Sequence, residues 1–527
     1  MTTAAPEPVI VIGNGPVGQT AALLLARWGL PVTLLDARPE RDLVGSKSIC
    51  QQRDVLDIWD SVGAGKQIAE IGVTWTRART FYRDEELFCQ EFQDRGASYF
   101  PPFVNISQCR TEQILDEHIA RQPLVTVLWG YDAVGLEQGD DGVTVTCQTE
   151  HGSVPVHGSH AVACPGARGD AVRRLLGVDY QGRGFGDQFL ICDIRTDLPG
   201  WERERRFYFD PEWNPGRQVL IHPCPDSTYR IDWQVPEGFD LVEEERTGAL
   251  DRRIRMVIGE RDYEIVWRSV YRFGSRIADR MRVGRVLIAG DGAHCVAPFG
   301  ARGLNSGVMD AENAAWKIAF VVRGWAPEAL LDSYHQERHA AAQENLAITG
   351  ATMRFLVPQS EAEWDERRRT LEEARRDDAA KARVDSGRLA EPFWYVDSPL
   401  TTPDPTRPFA GRPPKGALPS PGPGVLVPDI PVTAPGATRL RELLRNGVTV
   451  LHGDRVEPMT PPGPVPVRVF AMRDLAPRLA DVLGSRNDEV WLVRPDGHVA
   501  AVLPDPRPAD LSRCLDRMLA RLGAMAG

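Results

Sequence analysis

The residues best placed to do chemistry fall in two glycine-rich runs far apart in the chain. The first, Gly13-Asn14-Gly15-Pro16-Val17-Gly18, follows the β-branched run Val9-Ile10-Val11-Ile12 and opens a helix-forming stretch that ends at Gly29. A G-x-G-x-x-G between a strand and a helix lets the backbone approach a pyrophosphate, and the helix N-terminus favours its charge. A second strand over 32–35 ends in Asp36, eighteen positions past the last glycine, where a carboxylate accepts from ribose hydroxyls. Ala37 and Arg38 complete that edge of a candidate dinucleotide site. In the loop that follows, Lys47 and Arg53 are basic residues that either neutralise a pyrophosphate or face solvent.

The second run spans 285–317. It opens as the buried strand Val286-Leu287-Ile288-Ala289, stops at Gly290-Asp291, passes Pro298, Gly300 and Gly303, and enters a helix near Asn305. A strand-end carboxylate facing a helix start with free N–H groups can hold a polyhydroxylated, partly anionic ligand. Read alone, the pattern also describes an ordinary strand–loop–helix connection. His294, beside Asp291, is either a proton donor or a structural histidine.

The elements that must position these runs belong to a chain of 527 residues, too long for one ordinary core. A net charge of −11 argues against nucleic acid as a partner. No apolar run is long enough to cross a bilayer, and the N-terminus lacks a signal-peptide pattern. The nine cysteines contain no C-x-x-C pair, which fits a reducing, cytoplasmic setting and argues against a disulfide framework or a structural zinc site. No metal-binding cluster of the H-E-x-x-H kind is present either, so no metal is expected.

Between the two runs, 72–104 is rich in aromatics (Trp75, Phe81, Tyr82, Phe88, Phe92, Tyr99, Phe100 and Phe103), suited to strands that line a sheet face or a cavity. Gln108 stands at a helix entry, and 124–146 reads as two strands around a turn at 139–142. A buried strand over 161–164 leads into Pro165-Gly166-Ala167-Arg168-Gly169-Asp170, and 185–275 reads as short strands of a mixed sheet. Beyond a charged helical stretch and a Pro/Gly-rich segment, a small α/β unit starts near 438 and includes a helix over 476–482.

Three motifs in this order, Gly13–Gly18 with Asp36, the run from Cys164 to Val172, and GDGAHCVAPFGARGLNSG at 290–307, resemble the class A flavoprotein monooxygenases, the FAD-dependent aromatic hydroxylases. The resemblance covers about 8–350. It is closest to the branch of 3-(3-hydroxyphenyl)propionate, phenol and polyketide hydroxylases, through Trp213-Asn214-Pro215-Gly216-Arg217-Gln218 and Arg230-Ile231-Asp232-Trp233-Gln234. It implies an α/β fold, with a Rossmann-like FAD-binding domain interleaved with a mixed-sheet substrate domain and a thioredoxin-like C-terminal domain. The implied division is 1–75, 105–180 and 276–350 for FAD; 76–104 and 181–275 for substrate; 351–396 a helical connection; 397–436 a linker; and 437–527 the last domain.

The same resemblance implies FAD as cofactor and NAD(P)H as a transient co-substrate. O2 would add to the reduced flavin as a C4a-hydroperoxide that hydroxylates a small phenolic substrate. It assigns FAD contacts to Gly13, Gly15, Pro16, Val17, Gly18, Asp36, Ala37, Arg38, Lys47, Arg53, Gln108, Gly166, Asp291, Pro298, Gly303, Leu304 and Asn305. Phe209, Gln234, Trp267, Tyr271, Pro298 and Phe299 are pocket candidates, and no general base is named. A homodimer is compatible with this family. The chain departs from the pattern at Pro165-Gly166, where the family has Asp-Gly, which bears on the nicotinamide contact more than on FAD; Asp170 is the nearest replacement carboxylate. The alternatives are a non-catalytic flavin-binding protein, or another flavin redox enzyme such as a reductase or a halogenase, although the Trp-x-Trp-x-Ile-Pro stretch of the last is absent.

Overall fold

Val9–Ile12 lies inside a six-stranded sheet of a computed structural model that describes residues 6–92, 98–414 and 417–522. It pairs in parallel with Val32–Asp36 on one side and His160–Ala163 on the other, and Val286–Ile288 pairs in parallel beyond that. Val125–Trp129 extends the far edge, also in parallel. Strands covered on both faces have no polar side to show, which is why these runs are continuously apolar. Parallel alignment delivers Gly13, Asp36, Cys164 and the Gly290-Asp291 turn to one edge of the sheet, where α/β proteins bind ligands.

Two helices, Pro16–Arg27 and Gly303–Val322, pack together over this edge. Their contact needs bare backbone. A Cβ on Gly307 would lie 2.6 Å from Val17 Cγ2 and 3.1 Å from Gly290 Cα, and one on Gly18 would lie 1.8 Å from the Gly13 carbonyl oxygen. The two glycine-rich runs are thus interlocked through Val17. Gly307→Ala should cost about 1–3 kcal/mol from overpacking and weaken FAD retention, read by chemical unfolding and flavin absorbance. An unchanged unfolding midpoint would contradict the interlock.

The second sheet has eight strands and mixed pairing. Its outer face buries Cys192, Ile221, Ile231 and Trp233 against Leu250, Ile254 and Ile258 of the helix Ala249–Ile258. Its inner face carries Phe189, Phe207, Phe209 and Leu220, packed against Ala297 and Phe299 of the second glycine-rich run and against Met353 and Leu356. Edge strand His294–Cys295 hydrogen-bonds this run directly to Tyr263–Ala278 of the sheet.

Two local expectations change. Val125–Trp129 belongs to the parallel sheet, and the hairpin around the Gly-Asp-Asp-Gly turn is Asp132–Gly139 with Gly142–Thr149, extended by Gly152–Gly158. The helix expected over 476–482 is two short helices, Met472–Leu475 and Leu479–Leu483. Pro477 explains the break: it pushes Ala476 to φ −161°, ψ 134°, outside the helical region.

The C-terminal sheet places Val448–His452 between Val467–Ala471, in parallel, and Glu489–Val493, antiparallel, with Val499–Pro504 at the edge. No described helix separates the parallel pair. The unit docks on the rest of the chain through buried arginines. Arg441 contacts Asp54 at 2.6 Å and Asp57 at 2.8 Å, and Arg445 contacts Glu312 at 2.7 Å. Arg494 bridges Glu337 at 2.5 Å and its own neighbour Asp496 at 2.6 Å, with Lys317 on Glu337 at 2.7 Å. No helix among the described residues is long and apolar enough to cross a membrane.

Candidate active site

At the sheet edge, the Asn14 amide donates to Asp36 Oδ2 at 2.8 Å, closing the strand–helix turn onto the carboxylate. Arg38 donates its amide and its Nε to Oδ1, each at 2.9 Å. Burial alone would raise Asp36, but the Arg38 and Asn14 hydrogen bonds hold its carboxyl below the usual range. Arg38 covers this carboxylate, held there also by the Asn14 carbonyl at 3.2 Å, while Ala37 is exposed beside it. A residue not foreseen from the sequence, Arg41, fixes Asn14 by donating to its carbonyl at 2.6 Å and its Oδ1 at 2.8 Å, and is itself held by Glu112 and Asp116. The first intrahelical bond of Pro16–Arg27 is Gln19 N to Gly15 O, 2.9 Å, so the Val17 and Gly18 amides precede it and point out of the helix start.

Asp291 stands at the equivalent end of Val286–Ile288. Among the described residues its carboxylate accepts no hydrogen bond, and it lies 3.8 Å from where a Cβ on Gly303 would be. Burial pushes its pKa up, while His294 and Lys47 pull it down. The turn that presents it is fixed from behind. Asp310 Oδ2 accepts from the Gly290 amide at 3.0 Å and contacts His294 Nε2 at 2.6 Å. Arg338 donates to Asp310 Oδ1 at 2.7 Å and to the Ser306 carbonyl at 3.2 Å. His294 is fully buried in this clamp, where its contact with Asp310 gives it a structural part in holding the turn.

The helix start at Gly303 offers the amides of Gly303, Leu304 and Asn305, which precede the Ser306 N to Arg302 O bond of 2.9 Å. The Asn305 side chain is not available to a ligand: it accepts from the Gln52 amide at 3.0 Å and donates to the Cys50 carbonyl at 2.9 Å. Gln108 likewise ties the loop, accepting from the Ser48 amide at 3.2 Å and donating to Glu112 at 2.8 Å. Lys47 is exposed and Arg53 half-buried, and neither side chain has a hydrogen bond or ion pair among the described residues.

Pro165 wedges against Gly292, where a Cβ would lie 2.7 Å from Pro165 Cδ, and Gly166 follows at φ +70°. Asp170 does not take the place of the missing carboxylate. It is exposed and held by Arg173 at 2.5 Å. Arg173 instead braces the second run by donating to the Gly292 carbonyl at 3.1 Å, and Tyr180 does so through the Asp291 carbonyl at 2.8 Å.

On the inner face of the eight-stranded sheet, register puts Tyr271, Phe189, Gln234, Gln218 and Phe209 in one row. Tyr271 and Trp267 are half-buried on the same strand, with ring centroids 6.3 Å apart. Gln234 is buried and fixed by the Gln218 amide and by Asp187. Phe209 is wholly enclosed, with its ring against Phe355 and Phe207, and serves as core. Phe299 is buried against Phe189 at 5.4 Å and Phe207 at 6.5 Å, whereas Pro298 is exposed. Trp75 stacks on Phe103 at 5.4 Å and meets Phe92 edge-on at 5.1 Å, forming an aromatic wall. Of the charged residues on this face, Arg230 lies in one of the runs that carry the resemblance, whereas Arg205, His222 and Asp193 carry no sequence signal; strand register brings the four together.

A family described as FAD binding domain matches residues 7–349. The chain belongs to that family. FAD is accordingly its cofactor, and the geometry fits: two helix starts with unspent amides and two strand-end carboxylates converge on one sheet edge, and no described atom lies within 4 Å of a Cβ on Gly15. A second family, the aromatic-ring hydroxylase C-terminal unit, matches residues 420–521. The flavoprotein is 29% identical over 355 residues to 3-(3-hydroxyphenyl)propionate/3-hydroxycinnamic acid hydroxylase of Comamonas testosteroni, covering 67% of this chain and 59% of the relative. It is 31% identical over 363 residues to a flavin-dependent monooxygenase of Mycobacteroides abscessus, covering 65% of this chain and 73% of the relative. In fold it is similar to the flavin-dependent monooxygenase PieE, solved with FAD and substrate, at TM-score 0.84 and 23% identity over 98% of this chain and 99% of that one. Aklavinone-11 hydroxylase, solved with FAD and aklavinone, superposes at TM-score 0.75 and 22% identity over 99% and 100% of the two chains.

Proposed function

We propose that the protein is an FAD-dependent monooxygenase that inserts one atom of O2 into the ring of a small phenolic substrate, with NAD(P)H as reductant. The observation that carries this reading is the meeting of the Asp291/Gly303 edge with an aromatic-lined sheet face across Phe299. FAD, when bound, supplies hydride acceptance and oxygen activation. The chain's own residues do the rest. Gly13, Gly15, Pro16, Val17 and Gly18 form a cradle for the pyrophosphate, with Asp36 and Arg38 toward the ribose. Asp291 and Gln108 serve the ribityl chain. Lys47, and Arg53 at the start of its helix, supply positive charge near the phosphates.

The Leu304 and Asn305 amides sit at a helix N-terminus, where negative charge is stabilised without any reorganisation. Phe189, Phe207 and Phe299 exclude water from the reaction chamber, which protects reactive oxygen species from unproductive decay. Trp267 and Tyr271, half-buried on the sheet edge, lie toward the substrate entrance. The 3-(3-hydroxyphenyl)propionate/3-hydroxycinnamic acid hydroxylases among the similar proteins act by name on hydroxylated aromatics, which supports the substrate class.

The test is direct. Purified protein should show the two-band absorbance of oxidised flavin, and NAD(P)H oxidation should accelerate on adding a phenol that is then hydroxylated. Protein that is colourless and does not take up FAD, or that oxidises NAD(P)H with no hydroxylated product from any phenol, would sink the reading. Trp267→Ala should raise KM for the phenol several-fold with little change in kcat, since it removes contact area and no reacting group; an unchanged KM would remove Trp267 from the substrate path.

A further inference from the structure

The turn between Pro298 and Gly303, which leads from the second glycine-rich run into its helix, carries backbone strain. Gly300 sits at φ +92° and Ala301, which has a side chain, at φ +57°. A non-glycine residue in the left-handed region persists only where its surroundings over-determine it. Two bonds inside the run contribute: the Ala301 amide donates to the Pro298 carbonyl at 3.0 Å, and Asn305 Nδ2 donates to the Ala301 carbonyl at 2.6 Å. The others come from residues 387–390, far along the chain. The Ala390 amide donates to the Gly300 carbonyl at 2.7 Å. Arg302 is 2% exposed and donates through Nη2 to the Arg388 and Leu389 carbonyls, each at 3.1 Å, and through Nε to the Arg388 carbonyl at 3.3 Å. The approach needs bare backbone on both sides. A Cβ on Gly300 would run into the Arg388 carbonyl, and one on Gly387 would lie 3.3 Å from the Gly300 nitrogen and 3.4 Å from Phe299 Cβ. Leu389 packs with Ala301 against an aromatic enclosure formed by Cys50, Trp75 and Phe103.

The 387–390 span has little of its own to hold it there. It forms no helix or strand, and among the described residues Ala390 alone between 386 and 394 donates a backbone–backbone hydrogen bond. It is tethered at its ends: Asp385 accepts from Thr352 Oγ1 at 2.9 Å, and Glu391 contacts Arg412 at 2.8 Å. A cavity lies against it, lined by Ala390, Glu391 and Phe393 together with Ser306 and Asn345. A span tethered at both ends, with few bonds and a void beside it, opens locally with ease. A strained turn and a lightly held span thus fix each other where Phe299 meets the chamber and the Gly303 helix begins.

We propose that residues 387–390 are a clasp that positions the 298–303 turn for the cofactor, with Ala390 and Arg302 as its positioning residues, and that clasp closure and FAD binding favour each other. Closure sets Phe299 and the amides at 303–305. FAD, seated at that helix start as proposed above, holds the turn closed. By linkage the two effects share one coupling factor. This coupling needs the cofactor and not the hydroxylation reaction.

Hydrogen exchange of the full-length protein with and without FAD reads the coupling from one end. FAD should slow exchange of the Ala390 amide about tenfold and leave the distant strand Val448–His452 unchanged. Ala390→Pro, which removes the donated N–H, reads it from the other end: flavin fluorescence should show FAD bound about tenfold more weakly, the upper range for one hydrogen bond. The two factors should agree within about threefold, which a residue that only stabilises the fold would not produce. Arg302→Lys, which keeps one donor head for the carbonyls, should lose only about threefold and guards against a folding defect in the proline variant. Unchanged exchange of the Ala390 amide while the 303–308 amides slow would overturn the clasp alone, as would wild-type FAD affinity in Ala390→Pro. No slowing at either place would overturn the clasp together with the seating of FAD at that helix start.

Discussion

Asp291→Ala should bind FAD about 100-fold more weakly than the wild type, the loss expected when one or two charge-assisted hydrogen bonds to a half-buried carboxylate disappear. Among the described residues its carboxylate accepts no hydrogen bond, while the turn around it is fixed: Gly290 by Asp310, Gly292 by Arg173, and its own carbonyl by Tyr180. A rigid turn that presents an unspent, half-buried acceptor is built for a ligand. Titration of apo-protein with FAD, followed by flavin fluorescence, gives the number. Asp291→Asn should fall between the two, since it keeps one acceptor and loses the charge. Wild-type affinity in Asp291→Ala would mean that the cofactor is held without the second glycine-rich run.

Arg494→Met should lower stability at neutral pH by about 3–5 kcal/mol, because it leaves Glu337 and Asp496 as buried carboxylates with reduced compensation. Burial alone would raise both. Arg494 overrides it, joined by Lys317 at Glu337 and His498 at Asp496, and both carboxyls sit well below the usual range. The sign follows from linkage. A carboxylate with a depressed folded pKa contributes stability above its unfolded value of about 4 and loses it as pH falls toward the folded value. The gap between wild type and Arg494→Met should therefore narrow from pH 7 to about pH 3.5 in urea unfolding. A gap that is constant with pH would show that Arg494 acts by packing on Trp316 and Tyr395, whose rings it also covers. The same network reaches the flavin side, from Glu337 through Asn313 and Tyr395 to Arg338 and Asp310, so loosened FAD binding in this variant is a second expected readout.

Both glycine-rich runs were legible because their function rests on backbone: glycines, strand ends and helix starts leave a spacing that survives in a single sequence. The parallel sheet followed from the same source, since a run such as Val9-Ile10-Val11-Ile12 can only be buried on both faces. What was not legible depended on register. Arg205 and Arg206 are adjacent and identical in type, and only strand pairing sends one into the aromatic enclosure and the other outward onto Trp201. The docking arginines Arg441, Arg445 and Arg494 read as solvent charges until their acids, Asp54, Asp57, Glu312 and Glu337, arrive from hundreds of residues away. Asp170 misled for the opposite reason: proximity in sequence to Pro165 suggested a replacement ligand, but an arginine three residues on captured it.

We propose that FAD on this scaffold supports transfer of one oxygen atom from O2 to a phenolic ring. The most direct measurement is turnover under 18O2 with NAD(P)H and a phenol, followed by mass spectrometry of the product. The product should carry one 18O atom in the new hydroxyl, with one NAD(P)H consumed per product. Incorporation of oxygen from water, or NAD(P)H consumption that yields only hydrogen peroxide with every phenol tried, would contradict it.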